Sequence, residues 1–131
     1  MKIKKITSFL IFVIFSFGIY ANDINKVTYA YWDKPDVELF YTLPKVLNKN
    51  TKVLFIIHGS SRDAGRYLNA WQEDSKNKNV ILVAPLFTKE NYSNYTTLQM
   101  STSSGRLFKN QSKHLKNSIS SFYAFFKSKY N

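Results

Sequence analysis

The side chains that could do chemistry are gathered at one junction of the sequence. An apolar segment runs directly into a histidine, a glycine and two serines, and a helix-forming segment follows at once: Ile56-Ile57-His58-Gly59-Ser60-Ser61-Arg62-Asp63-Ala64. If the apolar segment is a parallel strand, the junction places backbone N–H groups at the carboxyl end of the sheet, where open α/β folds bind ligands. Such N–H groups can stabilise an oxyanion. The alternative is that His58-Gly59 simply allows a tight turn from strand to helix.

Most other chemistries lack the residues they need. The chain has 131 residues with no Cys and two His, so disulfides, thiol nucleophiles, iron–sulfur clusters, thiolate zinc and multi-histidine metal sites are excluded. Glu73 and Asp74 are consecutive on a predicted helix and point in different directions, which disfavours a shared acid and base site. We expect no metal and no cofactor.

The elements around the junction begin with a predicted hairpin. Residues 27–32 and 37–43 are rich in strand-forming side chains, a polar Asp33–Asp36 turn separates them, and Pro44 ends the second. The pattern predicts two paired strands near the edge of a sheet.

Two later segments predict a parallel pair. Residues 53–57 and 80–84 are continuous apolar runs, typical of strands covered on both faces. Between them, residues 64–76 carry apolar side chains at helical spacing, including Tyr67, Leu68 and Trp71. A strand, a crossover helix and a parallel strand form the right-handed βαβ unit.

A second amphipathic helix is predicted over residues 112–129, capped by Ser112. Its apolar positions are Leu115, Ile119, Phe122 and Phe126. Residues 85–111 read as a polar connection with no regular period.

The charge of the chain is strongly basic and uneven. The formal net charge is +11, and residues 91–131 hold six basic side chains and no acid. A solvated helix face explains this pattern, and binding of anionic polymers or lipid is the alternative. No zinc-finger spacing or aromatic RNA-binding signature is present, so we expect no nucleic-acid partner.

The N-terminal residues read as a secretory signal. A basic start is followed by an almost unbroken apolar run over residues 6–20, and Ala21 offers a cleavage point. The run is shorter than the roughly 20 residues needed to cross a bilayer. We therefore expect residues 1–21 to be cleaved and residues 22–131, with 16 basic and eight acidic side chains, to be exported to the periplasm or beyond, without a stable membrane span. An uncleaved membrane anchor is the alternative.

These motifs together resemble the α/β-hydrolase superfamily, in its branch of secreted esterases and polyester (PHB) depolymerases. The matching strings cover roughly residues 36–130: Phe40-Tyr41-Thr42-Leu43-Pro44, Val53-Leu54-Phe55-Ile56-Ile57-His58-Gly59, Arg62-Asp63-Ala64-Gly65-Arg66-Tyr67, Ala70-Trp71 and Val80-Ile81-Leu82-Val83-Ala84-Pro85-Leu86-Phe87. The resemblance implies an oxyanion loop at Gly59 and Ser60, with Ser61 as a possible second donor. His58 and Arg62 support the motif.

The sequence departs from this family where the nucleophile should be. The family places its serine in Gly-x-Ser-x-Gly, whereas the glycines here, at 18, 59, 65 and 105, are never four apart. Ser103 lies in a similar string, but no strand-forming run precedes it. No acid follows Glu90, and His114 is expected to be an exposed residue on the last helix. We therefore predict no catalytic residue in this sequence.

The sequence is thus interpreted as the N-terminal half of an α/β hydrolase: an edge hairpin, two buried parallel strands and two helices, truncated before the nucleophile elbow. The primary hypothesis is an exported, esterase-like protein that is inactive alone. The second is half of a split esterase that needs a C-terminal partner, and the third is a small basic binding protein for anionic polymers or lipid. The 53–57 strand would be an open sheet edge, prone to self-association, where Ile56→Lys is expected to raise solubility.

Overall fold

A computed structural model of the chain describes residues 24–111 and 114–130. The signal peptide predicted for residues 1–21 lies outside the described residues. The fold is α/β, with one four-stranded mixed sheet of order β1-β2-β4-β3. The elements in chain order are β1 Asn25–Tyr29, β2 Val37–Thr42, β3 Lys52–Phe55, α1 Ala64–Ser75, β4 Val80–Leu86 and α2 Ser118–Tyr130.

The predicted edge hairpin is confirmed. Strands β1 and β2 pair antiparallel, with Val27 opposite Leu39. Strand β2 also pairs antiparallel with β4, so the hairpin extends the sheet on the side away from β3. Alternation along β2 buries Val37 and Leu39 on one face, which explains why its register is fixed.

The predicted βαβ unit is confirmed as well. Strands β3 and β4 are parallel, and α1 connects them. Strand β4 is central and buried on both faces. Ile81 and Val83 belong to one apolar cluster, and Leu82 and Ala84 belong to the other. This division explains the unbroken apolar run in the sequence, because each face of β4 meets a different layer.

Strand β3 is not buried, contrary to the prediction that it would be covered on both faces. Lys52 and Leu54 are exposed, and Val53 and Phe55 are only partly buried. The reason is its place in the sheet, since among the described residues β3 pairs only with β4. The expectation that this strand forms an edge is therefore confirmed, and its exposure follows from that position.

Helix α1 covers one face of the sheet. It begins after Asp63, whose Oδ1 accepts a hydrogen bond from the Arg66 N–H at 2.9 Å and so caps the first turn. Ala64 and Leu68 pack into the smaller apolar cluster, with Ile56 of the strand exit beneath them. Trp71, predicted on the apolar face, is 49% exposed and lines an open groove together with Leu54 of β3.

Helix α2 covers the opposite face with the larger, aromatic cluster. Of the apolar positions predicted within this helix, Phe122 and Phe126 are fully buried, whereas Ile119 is 39% exposed. The rings around Phe122 include Tyr29, Trp32 and Phe87, at centroid distances of 5.0 to 6.3 Å. The Tyr29 ring meets Phe122 edge to face, at an interplanar angle of 80°, and this geometry adds to the stabilisation from burial.

The start of α2 was predicted too early. The helix begins at Ser118, and the proposed cap Ser112 lies outside the described residues. Leu115 is buried in the larger apolar cluster but lies ahead of the helix, where its N–H donates to the Leu98 carbonyl at 2.7 Å. This bond ties the chain to the preceding loop before it becomes helical. Within the described residues, no helix is long and apolar enough to cross a membrane.

Candidate oxyanion loop

The candidate loop begins where the parallel ladder of β3 and β4 stops. The Ile56 N–H donates to the Val83 carbonyl at 2.8 Å, which is the last bond of the ladder. In a parallel ladder the Ile56 carbonyl would next accept from the N–H of residue 85. Residue 85 is Pro85, which has no N–H. The chain after Ile56 is therefore released from the sheet and is free to turn.

The loop itself is a tight turn from Gly59 to Arg62. The Arg62 N–H donates to the Gly59 carbonyl at 3.0 Å, which leaves Ser60 and Ser61 at the two corner positions. Both serines are exposed, and no described residue accepts a hydrogen bond from either backbone N–H. Two adjacent free N–H groups after a parallel strand can hold a developing negative charge. The oxyanion role of Gly59, Ser60 and Ser61 stays a prediction that fits this geometry.

His58 is buried beneath the turn and is fully hydrogen-bonded. Its Nε2 accepts from the Phe87 N–H at 3.0 Å, and its Nδ1 lies 3.0 Å from the Gly59 carbonyl oxygen. The hydroxyl of Tyr95 donates to the His58 carbonyl at 2.7 Å. Burial lowers the pKa of His58, so the neutral ring is favoured. These contacts make His58 a structural residue and leave it no free nitrogen for general-base chemistry.

Arg62 fastens the turn to the segment that follows β4. Its guanidinium donates to four backbone carbonyls, those of Phe87, Thr88, Tyr92 and Ser93, at 2.6 to 3.4 Å. The same group stacks over the Tyr95 ring at 4.1 Å. Arg62 adopts a left-handed φ of 57°, which is uncommon outside glycine and directs the side chain under the loop. The residue predicted only as motif support thus holds the loop in place.

A shallow cavity of about 500 Å³ opens beside the turn. Its lining is polar and basic and contains no carboxylate: Ser60, Arg62, Lys89, Ser93, Tyr95 and Thr96. An ester carbonyl approaching Ser60 from this side would meet a positive environment. A developing oxyanion is stabilised there more than a neutral ground state.

A side chain at Gly59 would meet Tyr67 of α1. A Cβ at this position would lie 2.5 Å from the Tyr67 hydroxyl oxygen, and the next nearest atom, Tyr67 Cζ, would be 3.5 Å away. We expect Gly59→Ala to lower the free energy of unfolding by about 1–3 kcal/mol through overpacking. Tyr67→Phe removes the clashing oxygen, so the double variant should recover most of that loss.

Thermal unfolding of the four proteins in this double-mutant cycle checks the prediction. Tyr67→Phe alone is the control and should melt close to the unmodified chain. Equal losses for Gly59→Ala with and without Tyr67→Phe would show that the glycine is needed for another reason.

The structure does not assemble a catalytic triad from the described residues. Ser103 is exposed in a turn closed by the Gly105 N–H to Thr102 carbonyl bond, with no strand leading into it. His114 was predicted as an exposed helical residue, and this is wrong. It precedes α2, is half-buried, and its Nε2 is buried without a hydrogen-bond partner among the described residues. No group of three potential metal ligands occurs in the described part of the chain.

Sequence reasoning missed the tyrosines that support the loop. Tyr92 and Tyr95 are buried in the segment interpreted as a polar connection. Burial, with the nearby Asp36 carboxylate, raises the pKa of Tyr92, and its hydroxyl donates to the Pro35 carbonyl. Two tyrosines three residues apart in a polar stretch were the available signal. Tyr95 begins the short 3₁₀ helix Tyr95–Thr97, and Tyr92 lies in the loop before it.

Comparisons with known proteins give a structural match only. No protein-family model matches the chain, and no curated protein sequence matches it. Among solved structures, poly(aspartic acid) hydrolase-1 from Sphingomonas sp. KT-1 matches with a TM-score of 0.66 and 21% identity, over 80% of this chain and 41% of that one. The chain has the fold of part of a polymer hydrolase. A poly(3-hydroxybutyrate) depolymerase from Bordetella parapertussis matches equally well, with a TM-score of 0.66 and 18% identity.

This partial hydrolase fold agrees with the resemblance found in the sequence. The match to the depolymerase covers 81% of this chain and 38% of that chain. The chain therefore spans about two fifths of the length of the two hydrolases. The likeness to depolymerases is confirmed at the level of fold.

Proposed function

We propose that this chain supplies the oxyanion-binding part of an exported serine hydrolase that cleaves ester bonds in a polymer. The observation that carries the proposal is the turn after β3, where the free N–H groups of Ser60 and Ser61 follow a parallel strand. The fold shared with two polymer hydrolases supports a polymer as the substrate, and the match to the poly(3-hydroxybutyrate) depolymerase supports the ester bond. The secretory leader predicted at residues 1–21 supports export, and N-terminal sequencing of exported material, expected to begin at Asn22, tests it.

The proposed reaction is acyl transfer. A serine hydroxyl attacks the ester carbonyl and loses its proton to a histidine, while the carbonyl oxygen becomes negative. The Ser60 N–H donates to that oxygen, with Ser61 as the second donor. The alcohol then leaves with the proton, and water releases the acid from the acyl-enzyme. The nucleophile and base come from polypeptide outside this sequence, because Gly-x-Ser-x-Gly does not occur in it.

The completing polypeptide is proposed to join the sheet at β3. The Lys52 and Ile56 N–H groups both donate to carbonyls on the β4 side, at Asn79 and Val83. Because alternate residues of a strand point their backbone groups to opposite sides, Val53 and Phe55 direct theirs to the open edge. A strand that carries the nucleophile and pairs here would end next to the turn at Ser60. A second copy of the chain can compete for the same edge.

An apolar groove beside this edge is suited to a covering helix. It has a volume of about 580 Å³ and lies between β3 and α1. Leu54 and Trp71 are exposed within it, at 41% and 49%. Covering these side chains with the helix that follows the new strand removes apolar surface from water, which stabilises the completed sheet.

The chain by itself is expected not to hydrolyse esters. Short p-nitrophenyl esters should be cleaved no faster than in buffer, because an oxyanion loop without a nucleophile and base forms no acyl-enzyme. Release of p-nitrophenol from the purified chain measures this. Turnover that disappears on Ser103→Ala would contradict the prediction and make Ser103 the nucleophile.

A further inference from the structure

His58 exists in a single neutral tautomer. The Phe87 N–H can only donate, so the Nε2 that accepts from it, at 3.0 Å, carries a lone pair and no proton. The proton therefore lies on Nδ1 and is donated to the Gly59 carbonyl oxygen at 3.0 Å. Protonation of the ring would place an N–H on Nε2 against the Phe87 N–H. That bond would break, and the imidazole, which also holds the Gly59 carbonyl, would be displaced.

This tautomer fixes the direction of one peptide group. The Gly59 carbonyl accepts two hydrogen bonds, one from His58 Nδ1 and one from the Arg62 N–H at 3.0 Å. In a trans peptide the C=O and the following N–H point in opposite directions. A Gly59 carbonyl held from two sides therefore directs the Ser60 N–H away from His58, to the exposed side of the turn.

We propose that His58 is a positioning residue. It orients the Ser60 N–H by holding the Gly59 carbonyl, and this orientation is lost when His58 takes up a proton. This inference rests on the proposed function, in which the Ser60 N–H binds the oxyanion. It adds an acid-sensitive control to the loop. The site binds an oxyanion while His58 is neutral and loses the donor direction in acid.

The net effect of the surroundings of His58 is to favour its neutral form. The largest effect on its pKa is burial, which lowers it, and the Arg62 charge lowers it further, while the Gly59 hydrogen bond and the Asp63 carboxylate oppose this. From the segment after β4, the rings of Tyr95 and Phe87 contact the imidazole, with centroids at 4.9 and 6.1 Å.

The sign of the pH dependence follows from this lowered pKa. The unfolded chain binds a proton on His58 near pH 6.5, whereas the folded chain does so only at lower pH. Between these two values the unfolded state holds more protons, so stability falls as the pH falls. The stabilisation by neutral His58 is complete above pH 6.5. It is lost progressively as the pH falls from 6.5 to the lower pKa of His58 in the folded state.

Nuclear magnetic resonance of the ¹⁵N-labelled, purified chain tests the inference without any need for catalysis. At pH 8 the imidazole nitrogens of His58 should show the Nδ1–H tautomer. As the pH is lowered, the Ser60 amide should shift with the same midpoint as His58, below pH 6.5. The Leu39 amide in the sheet is the control and should not move over this range.

Two variants separate the two hydrogen bonds. His58→Asn retains a donor near the Nδ1 position, so its Ser60 amide should stay close to the unmodified position and should not titrate. His58→Gln retains an acceptor near Nε2 and loses the donor, so its Ser60 amide should be displaced at every pH. His114→Gln is the matched control and should leave the titration of Ser60 intact.

Several results would overturn the inference. One is an Nε2–H tautomer at pH 8. Another is a Ser60 amide whose chemical shift does not change as His58 titrates. A third is a shift of the Leu39 amide together with that of Ser60, which would make His58 a determinant of global stability. Different results would overturn the proposed function and this inference. A loop that titrates in a completed enzyme without ester turnover would overturn the function alone, and an active enzyme whose Ser60 amide ignores His58 would overturn only this inference.

Discussion

Ile56→Lys is expected to unfold the chain, whereas Leu54→Lys is expected to leave it folded and more soluble. Leu54 lies in β3 and Ile56 follows directly after its end, yet Ile56 is 6% exposed under α1 and Leu54 is 41% exposed in the groove. A lysine at 56 would be buried without a partner and would lose the apolar burial of isoleucine. The combined cost of several kcal/mol is comparable with the total stability of a marginal domain, about 5 kcal/mol. A lysine at 54 keeps its charge in water and discourages pairing at the edge.

The measurement is a circular-dichroism melt with size-exclusion chromatography of the three proteins. The Leu54→Lys variant should elute as a smaller species than the unmodified chain and retain a cooperative melt. The Ile56→Lys variant should show no melt. The structure thereby reverses the effect expected from the sequence for Ile56→Lys, because α1 buries this side chain even though β3 is an edge. A folded Ile56→Lys variant would show that α1 does not cover this strand exit.

Ser60→Pro is expected to lower kcat of the completed enzyme by roughly 10²–10³, the usual cost of losing one oxyanion donor. Ser60 lies at the second position of the turn that runs from Gly59 to Arg62. Proline is favoured at this position of a β-turn, so the substitution removes the N–H without breaking the turn. Ser60→Ala is the matched control, since alanine lacks the hydroxyl and retains the N–H.

Ester turnover and melting temperature are compared for the two variants. Ser60→Ala should keep kcat close to that of the unmodified enzyme, and Ser60→Pro should keep the melting temperature while kcat falls. Equal rates for both variants would remove the Ser60 N–H from the mechanism. A large loss on Ser60→Ala would transfer its role to the hydroxyl group.

The layered fold could be predicted because its signals are local. The apolar run at β4 and the helical spacing of Phe122 and Phe126 each indicate a surface that must be covered, and the structure covers both. The exposure of β3 could not be derived from its own residues. An apolar run is the same whether or not another strand lies beside it, so burial depends on neighbours that the segment does not encode.

The turn could be located from the sequence, but its supports could not. Arg62 bonds to carbonyls 25 to 31 residues further along the chain. Backbone carbonyls are present at every residue and leave no pattern in the sequence. The same is true of the Phe87 N–H that fixes the His58 tautomer. The glycine at 59 did carry a signal, although its cause, the Tyr67 hydroxyl, is a contact with the next helix.

The start of α2 and the place of His114 were predicted wrongly for one reason. Leu115 fits the apolar spacing of the helix, and the pattern therefore included it. In the structure Leu115 is buried from the segment ahead of the helix, where its N–H donates to the Leu98 carbonyl. A side chain buried from a loop and one buried from a helix produce the same periodicity.

The central claim is that the turn at Ser60 serves an ester-hydrolase site completed by polypeptide outside this sequence. The most direct measurement is p-nitrophenyl ester hydrolysis by the chain co-expressed with the polypeptide encoded after the Asn131 codon. We predict that one reading frame there carries Gly-x-Ser-x-Gly, that the two pieces together hydrolyse the ester, and that neither does so alone. Absence of that motif from every frame, or full activity of the second piece without this chain, would contradict the claim.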